Sequence, residues 1–376
     1  MRRQVPYIHD LPDWPRFHWD QSRLANTLAA VRHQQGRLLG RMESLGFPVQ
    51  QEASVQALTE EMVKSSEIEG ETLDAAQVRS SVARRLGLDA GGSDVTDRRV
   101  EGVVEMVLDA TQRHEQPLTA ERLYGWHACL FPGGRSGMQK VRVGAWRDDS
   151  TGPMQVVSGP VGRERVHFEG PAAERLEGEM GAFLRWFNDG AGPTVGDDVL
   201  KAGLAHLWFV TIHPFDDGNG RIARAIADLT LARSEHTPHR FYSMSAQTRK
   251  ERNDYYEILE RTTTGTLDVT PWMEWFLGCL GRAIAGAQTT LAAVLQKASF
   301  WQTHGNVALN QRQRLMLNRL LDGFEGKLTT SKWATIAKCS PDTALRDMLD
   351  LVARGLLMRN AGAGRSTSYA LVMVAG

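Results

Sequence analysis

Cysteine, net charge and long apolar runs are all scarce in this 376-residue chain. Its three cysteines, Cys129, Cys279 and Cys339, lie far apart and form no CxxC pair, so we expect reduced thiols rather than disulfides or a thiolate metal site. Basic and acidic residues both number 44, so no overall field attracts the chain to nucleic acid or membranes. The sequence contains no run of about 18 apolar residues, so it predicts no membrane span. The amino terminus lacks the apolar stretch of a signal peptide. These absences favour a cytoplasmic protein.

Strand-like alternation is also scarce, because most of the chain shows helical periodicity. Apolar residues recur at helical spacing over 21–44, 52–66, 100–108, 171–188, 197–212, 221–234, 248–262 and 270–300. Alternation is confined to 140–168, where "KVRVGAWR", "MQVVSG" and "ERVHFEG" predict up to three strands. The predicted fold is therefore mainly α, with a small β-hairpin.

Residues 306–376 have a different pattern from the rest. Three short helical segments precede two apolar stretches around a glycine-rich turn, which predicts a winged helix-turn-helix with Ser340 and Thr343 capping its third helix. Ten Lys or Arg stand against five Asp or Glu in this region. DNA binding and protein contact both remain open, because the candidate recognition helix carries three aspartates and only two arginines.

The segment "HPFDDGNGRIAR", residues 213–224, concentrates groups that bind phosphate. Its two glycines precede a helix whose first amides lack intrahelical partners and carry partial positive charge. Arg221 and Arg224 are three residues apart, so they share one face of that helix. Free amides beside two guanidiniums predict a polyanion site.

Two further residues of this segment add reactive chemistry. Asp217 lies among cationic groups, where a carboxylate is expected to hold Mg²⁺ together with phosphate oxygens. His213 ends the preceding apolar helix, and an imidazole there is a natural base for a hydroxyl nucleophile. The combination predicts a phosphoryl-type transfer.

On this segment the chain resembles the Fic family, since it matches HxFx(D/E)GNGRxxR at every specified position. It has no GxxxxGK[ST] loop, so the nucleotide site is not of the Walker type. The resemblance implies a Fic-type helical bundle with a β-hairpin flap, and a protein adenylyltransferase that moves AMP from ATP to a Tyr, Thr or Ser hydroxyl and releases pyrophosphate. It divides the chain into an N-terminal helical region (1–95), a Fic catalytic domain (96–300) and the winged helix (306–376).

The resemblance also implies a role for each position of the motif. His213 deprotonates the target hydroxyl, Phe215 anchors the loop in the core, and Asp217 holds Mg²⁺ against the phosphates of ATP. The remaining positions bind those phosphates, through an anion hole and two guanidiniums: Gly218, Asn219, Gly220, Arg221 and Arg224.

Two other segments resemble functional parts of the family. The hairpin strand with Met154, Gln155, Val156 and Val157 matches the flap that holds the target by main-chain pairing, although an ordinary hairpin closing the core stays an alternative. In "RNDYYEILE" the family places adenine contacts, here Asn253 and Tyr256. Packing is the alternative role for the tyrosine.

An acidic segment, "SSEIEGE" at 65–71, resembles the inhibitory motif (S/T)xxxE(G/N) of Fic proteins through Ser65, Glu69 and Gly70. The implied inhibitory helix spans about 53–70. Glu69 would pair with Arg224 and so take that arginine from the γ-phosphate. In some relatives the same glutamate helps to remove AMP, so AMP removal is also open here.

Other readings compete with a braked AMP transferase. The chain could be a DNA-binding regulator whose Fic region senses nucleotide, or an inert ATP-binding scaffold, although a scaffold has no use for His213. A nucleotide other than ATP could be the donor, because the loop reads phosphates rather than bases. A homodimer is possible.

Overall fold

The computed structural model describes residues 7–88, 97–150, 152–159, 163, 165–189, 195–321, 324, 326–360 and 367–372. The glycine-rich turn predicted between the last two apolar stretches falls at 361–366 and lies outside these residues. The chain divides into two compact units, Met1–Ala287 and Gln288–Gly376, and the division falls within a long helix.

The first unit is built mainly from helices. In chain order they are α1 (Gln21–Glu43), α2 (Phe47–Ile68), α3 (Ala75–Arg85), α4 (Arg98–Gln112), α5 (Ala120–Leu130), α6 (Leu176–Asn188), α7 (Asp198–Ile212), α8 (Asn219–Glu235), α9 (Met244–Lys250), α10 (Arg252–Thr263) and the start of α11 (Thr270–His304). Short 3-10 turns lie at Ile8–Asp10 and Ala173–Arg175. Two antiparallel hairpins complete it: β1 (Arg135–Ser136) with β2 (Gln139–Lys140), and β3 (Gln155–Ser158) with β4 (Arg165–Glu169).

Helices α7 and α8 form the centre of this unit and pack against each other. Almost every residue of α7 is buried, as its sequence "DVLKAGLAHLWFVTI" requires of a helix that is apolar all round. Close packing with α11 depends on Gly203, because a Cβ there would lie 2.9 Å from the Phe276 ring. The six-residue loop 213–218 joins the two helices, so the motif begins and ends on buried elements.

Several helix predictions are confirmed, one strand prediction is wrong, and one helix was not predicted. The helices at 21–44 and 197–212 lie within a residue or so of their predicted bounds. Of "KVRVGAWR" only Lys140 lies in a strand; the rest is irregular, and the amides of Arg142 and Arg147 donate to Asp216 and to the Pro214 carbonyl instead of to a sheet partner. The helix α5 was not predicted at all.

The implied inhibitory helix also differs in its bounds. Instead of spanning about 53–70, α2 begins at Phe47, where Pro48 suits the first turn, and ends at Ile68. Glu69 is its C-cap, and Gly70 follows with φ of 82°, a conformation that favours glycine. The acid therefore lies at the end of the helix rather than within it.

The second unit contains three short helices followed by a two-stranded hairpin. They are α12 (Gln311–Leu321), α13 (Thr330–Ile336), α14 (Pro341–Ala353), β5 (Leu357–Arg359) and β6 (Tyr369–Leu371). Ser340 caps α14 by accepting from the Thr343 amide, as predicted. Trp333, Met348 and Leu351 lie in its core. The order of elements is the one predicted for a winged helix-turn-helix.

Within the described residues, no helix combines the length and the apolar character that crossing a bilayer requires.

Candidate active site

His213 ends α7 in a left-handed conformation, with φ of 50° and ψ of 59°. Such a conformation costs a non-glycine residue about 1–3 kcal/mol, so the surroundings must hold it. Its amide donates to Phe209 at 3.0 Å, and its Nδ1 lies 3.1 Å from the Val210 carbonyl. Because a carbonyl only accepts, Nδ1 carries the proton and Nε2 keeps its lone pair. Burial lowers the pKa of His213 to about 4, against the raising effect of the Val210 carbonyl. The imidazole is therefore a neutral base at pH 7.

Arg147 holds the histidine from the other side. Its Nε donates to the His213 carbonyl and its amide to the Pro214 carbonyl, each at 2.8 Å. The guanidinium is buried, and Asp149 balances its charge at 2.9 Å. Sequence reasoning missed Arg147, because an arginine closing a strand-like segment gives no local sign of binding a loop about 66 residues away.

The amino-terminal end of α8 is open to a ligand. Gly218 is the N-cap, with φ of 80°, and it offers no capping side chain, so the first amides of α8 have no intrahelical partner. Side-chain atoms of Phe131 and Leu130, at the end of α5, lie 3.0 and 3.1 Å from the position that a Cβ on Gly218 would take. A larger residue there would displace the loop. The arrangement can bind an anion through amides and the helix dipole.

Asn219 fixes the loop through its side chain. Its Nδ2 donates to the Phe215 carbonyl at 2.8 Å, and its Oδ1 accepts from the Phe215 amide at 3.0 Å. Phe215 is fully buried and stacks on the His127 ring at 4.2 Å. The side chain of Asn219 is thus occupied, and only its amide can serve an anion.

Asp217 lies beside this amide cluster and accepts a hydrogen bond from the Gly218 amide. Among the residues that the structure describes, no group of three or more His, Cys, Asp or Glu is placed to hold a metal ion. One carboxylate suits Mg²⁺ where phosphate oxygens supply further ligands. The neighbouring Asp216 accepts from the Arg142 amide at 2.8 Å, so it faces away from that role.

The end of α2 lies directly against the motif. Arg224 donates from Nε to Ser65 Oγ and from Nη2 to the Ser65 carbonyl, both at 2.9 Å. The same Nη2 binds Glu69 Oε1 at 2.7 Å. A Cβ on Gly220 would lie 2.2 Å from Glu69 Oε1, so the carboxylate rests on the first turn of α8. Ser65, Glu69 and Arg224, all expected from the sequence, are brought together.

One donor of Arg224, Nη1, remains available for a ligand. The guanidinium is 6% exposed, and Glu69 raises its pKa against the lowering effect of burial. Its Nη1 is buried without a hydrogen-bond partner among the residues that the structure describes, and it lies 3.3 Å from the position of a Cβ on Gly220. This donor therefore lies beside the amino-terminal end of α8, where the free amides also lie.

Glu71 forms a second ion pair that the sequence did not suggest. Its Oε2 lies 2.7 Å from Arg221 Nη1. The Arg221 side chain is 3% exposed, and its guanidinium lies 5.1 Å from the centroid of the Phe131 ring. The sequence showed only three acids repelling one another, because the cations that balance them lie about 150 residues away.

The segment predicted to contact adenine contacts the end of α2 in this structure. Tyr256 donates its hydroxyl to the Ile68 carbonyl at 3.3 Å, and Arg252 donates Nε to the same carbonyl at 3.0 Å. Asn253 is exposed. Both predicted residues lie on α10 beside the site, and their contact with a base stays a prediction.

The predicted flap strand is present as β3. Gln155 and Val157 are exposed, whereas Met154 and Val156 are half-buried. Its partner β4 carries Phe168, whose ring centroid lies 6.4 Å from that of His213. The hairpin thus lies beside the histidine, and binding of a target strand to it stays a prediction.

His127 is a further residue that sequence reasoning missed. It is fully buried on α5, and neither ring nitrogen has a hydrogen-bond partner in the described part of the chain. Burial lowers its pKa to about 4, although the Asp217 main chain opposes that shift. A lone histidine on an apolar helix face carries no sequence signal of this position under the loop.

The family models match parts of the chain that contain this site. The Fic/DOC family model matches residues 117–231, which include β3, β4, His213, Arg221 and Arg224. This part of the chain is therefore similar to the Fic/DOC family. A second model, a domain of unknown function termed DUF4172, matches residues 7–88, which contain the end of α2 with Glu69.

Proteins similar to this chain include several named protein adenylyltransferase Fic. That of Nematostella vectensis is 36% identical over 125 residues, which are 32% of this chain and 27% of the relative. That of Drosophila melanogaster is 25% identical over 241 residues, 62% of this chain and 42% of the relative. The match therefore spans less than half the length of these relatives.

A solved Fic family protein from Desulfovibrio desulfuricans G20 shares the fold. It covers 94% of this chain and 97% of its own, with a TM-score of 0.52 at 20% identity. A Fic domain containing signaling protein from Bacteroides thetaiotaomicron covers 70% of this chain, with a TM-score of 0.50 at 20% identity. At this identity the likeness concerns the fold alone.

Proposed function

We propose that this Fic protein is an adenylyltransferase that moves AMP from ATP to a hydroxyl of a protein and of itself, and that Glu69 restrains it. The observation that carries the proposal is the neutral His213 imidazole, fixed at the mouth of a loop that ends in free amides and two arginines. Its relatives named protein adenylyltransferase support the choice of AMP.

In the proposed reaction, Nε2 of His213 takes the proton of the target hydroxyl. The hydroxyl oxygen forms a bond to the α-phosphorus as the bond to the bridging oxygen breaks, and pyrophosphate leaves. The amides of α8 stabilise the charge that develops on the phosphoryl oxygens. Arg221 and Arg224 hold the distal phosphates, and Phe215 and Asn219 keep the loop rigid.

Asp217 fits a Mg²⁺ ion bound together with the nucleotide. A carboxylate is the hard oxygen donor that Mg²⁺ prefers, and that of Asp217 lies beside the Gly218 amide at the phosphate-binding end of α8. Such an ion would neutralise phosphate charge when it is bound.

The restraint follows from the contacts of Arg224. With Nη2 on Glu69 and Ser65, only Nη1 is left for a phosphate. The Glu69 carboxylate also rests on the helix turn where an anion would bind, so it repels the nucleotide. ATP that enters is held out of line, and small misplacements cost large factors in rate. Removal of AMP, with Glu69 positioning a water, is an additional proposed activity of the same site.

A labelling experiment tests the proposal. Wild type, Glu69→Gly and Glu69→Gly/His213→Ala are incubated with Mg²⁺ and ATP labelled at the α-phosphate, and self-modification is followed by autoradiography. We expect Glu69→Gly to label at least about tenfold faster than wild type, since a competing carboxylate is removed. The double variant is expected not to label.

Two results would contradict the proposal. Equal labelling of wild type and Glu69→Gly would show that Glu69 does not restrain the reaction. Undiminished labelling of the double variant would show that His213 is not the base.

A further inference from the structure

The carboxyl end of α2 presents three glutamates, and each has a different cationic partner. Glu67 pairs with Lys64 at 2.8 Å and lies 3.5 Å from Arg249, neither of which belongs to the motif. Glu69 pairs with Arg224, and Glu71 pairs with Arg221. Two of the three acids thus engage the two motif arginines.

We propose that Glu71 is a second competitor for the nucleotide phosphates, acting on Arg221 as Glu69 acts on Arg224. This inference rests on the proposed function, because it assigns Arg221 to phosphate binding. In this proposal one short segment, 69–71, pairs with both motif guanidiniums and so keeps both of them from the phosphates.

The contacts of Arg221 favour competition over support. Its side chain is 3% exposed, and its Nε is buried without a hydrogen-bond partner among the described residues. Its guanidinium also lies over the Phe131 ring, 5.1 Å from the ring centroid. The contact with Phe131 does not depend on Glu71, so in this proposal Glu71 mainly neutralises the charge of Arg221.

Release of Glu71 is easier than release of Arg221. The Glu71 side chain is 38% exposed, so water can solvate the carboxylate when it leaves. Arg221 has no such escape, and a buried guanidinium without a counter-ion attracts the nearest anion. A nucleotide phosphate, which offers charge and several acceptor oxygens, can replace the single contact to Glu71.

The test measures ATP affinity rather than AMP transfer. All variants carry His213→Ala, which prevents turnover, and the Kd of Mg²⁺-ATP is measured by isothermal titration calorimetry. Glu71→Gln is compared with Glu67→Gln, a matched acid from the same segment that does not touch the motif. A Glu69→Gln variant and the Glu69→Gln/Glu71→Gln pair complete the set.

We expect Glu71→Gln to lower the Kd by about threefold to tenfold, as removal of one competing charge implies. Glu67→Gln is expected to leave the Kd unchanged, and the double variant to bind more tightly than either single one. The nucleotide is also expected to raise the melting temperature of Glu71→Gln more than that of its parent, because Arg221 gains a counter-ion only on binding. Glu71→Asp, whose shorter carboxylate retracts from Arg221, gives a second variant with the same expected direction.

Two outcomes would overturn this inference, and only the second would also overturn the proposed function. If Glu69→Gln tightens binding while Glu71→Gln and Glu71→Asp leave it unchanged or weaken it, Glu71 supports Arg221 and the second competitor is wrong. If no variant binds ATP, both proposals fail together.

Discussion

At the residue scale, the chemistry of the site depends on His213 being neutral and correctly turned. Its left-handed backbone aims the ring, and the Val210 carbonyl selects the tautomer. Arg147 donates hydrogen bonds to the carbonyls of His213 and Pro214. A base with a pKa of about 4 is weaker than an ordinary imidazole, but it is fully deprotonated under physiological conditions.

The pH dependence of the reaction follows from this pKa. In the Glu69→Gly background, kcat/KM for self-modification is expected to stay nearly constant on the acid side from pH 7 to about 5.5. It should fall only as the pH approaches 4, because the base is lost on protonation and burial has lowered its pKa. A stopped assay with labelled ATP over that range measures it.

An acid limb centred near pH 6.5 would contradict that expectation, since it would mean an imidazole exposed to water. Circular dichroism at each pH shows whether the fold persists. Arg147→Lys provides a comparison, because it keeps the charge near His213 but cannot reproduce the planar set of contacts.

At the element scale, the end of α2 acts as one unit with α10. The Ile68 carbonyl has no helical partner at a C-terminus, and Arg252 and Tyr256 satisfy it from α10. Two turns before Ile68 on α2, Glu61 accepts hydrogen bonds from the Ser243 hydroxyl and the Ser245 amide at 2.8 and 2.9 Å. These contacts hold Glu69 and Glu71 over the motif.

Loosening this attachment is expected to weaken the restraint. Tyr256→Phe removes the bond to Ile68 and keeps the aromatic ring, so self-modification of the otherwise native chain should rise about twofold to tenfold, the effect of one hydrogen bond. The KM for ATP should change little if the ring alone meets the base. Initial rates with labelled ATP measure both quantities.

Arg261→Gln is the control, because Arg261 is exposed on the same helix. A Tyr256→Phe variant that labels as slowly as wild type would show that the hydroxyl does not contribute to holding α2.

At the scale of the whole molecule, the two units differ in what their charges can do. In the second unit, Asp347 binds Arg312 at 2.8 Å, and Asp350 binds Arg354 at 2.9 Å. Both aspartates lie on α14, the candidate recognition helix, and they neutralise arginines that would otherwise attract phosphate. DNA binding stays a prediction, and these pairs weigh against it.

Acid should destabilise the first unit more than its net charge suggests. Burial lowers the pKa of His206 to about 3 and those of His127 and His213 to about 4. In the unfolded chain these histidines titrate near 6.5, so below that pH the unfolded state binds protons that the folded state does not. Each contributes a loss of up to about 1.4 kcal/mol per pH unit between 6.5 and its folded pKa, and nothing above 6.5.

Urea unfolding followed by circular dichroism measures this loss. The midpoint is expected to fall between pH 7 and pH 5 in wild type, and to fall less in His206→Gln, which removes one of the three groups. An equal fall in both proteins would show that other groups, such as paired carboxylates, account for the acid sensitivity.

The sequence predicted some elements better than others for physical reasons. A helix that is apolar all round, such as α7, announces itself through its composition. The helix α5 was missed although its buried residues Leu123, Trp126, His127 and Leu130 have helical spacing, because Gly125 and a length of only 11 residues weaken the periodic signal. "KVRVGAWR" alternates like a strand, but the amides of Arg142 and Arg147 donate to the motif loop rather than to a neighbouring strand.

The sequence by itself determined the parts of the site that are contiguous along the chain. A dozen residues hold the histidine, the carboxylate, the free amides and both arginines, and local backbone rules are enough to place them at a helix terminus. Tertiary structure alone decided which distant groups face them. The separation of about 150 residues between Glu71 and Arg221, and of about 66 between Arg147 and His213, leaves no periodic signal, because such contacts depend on how helices pack.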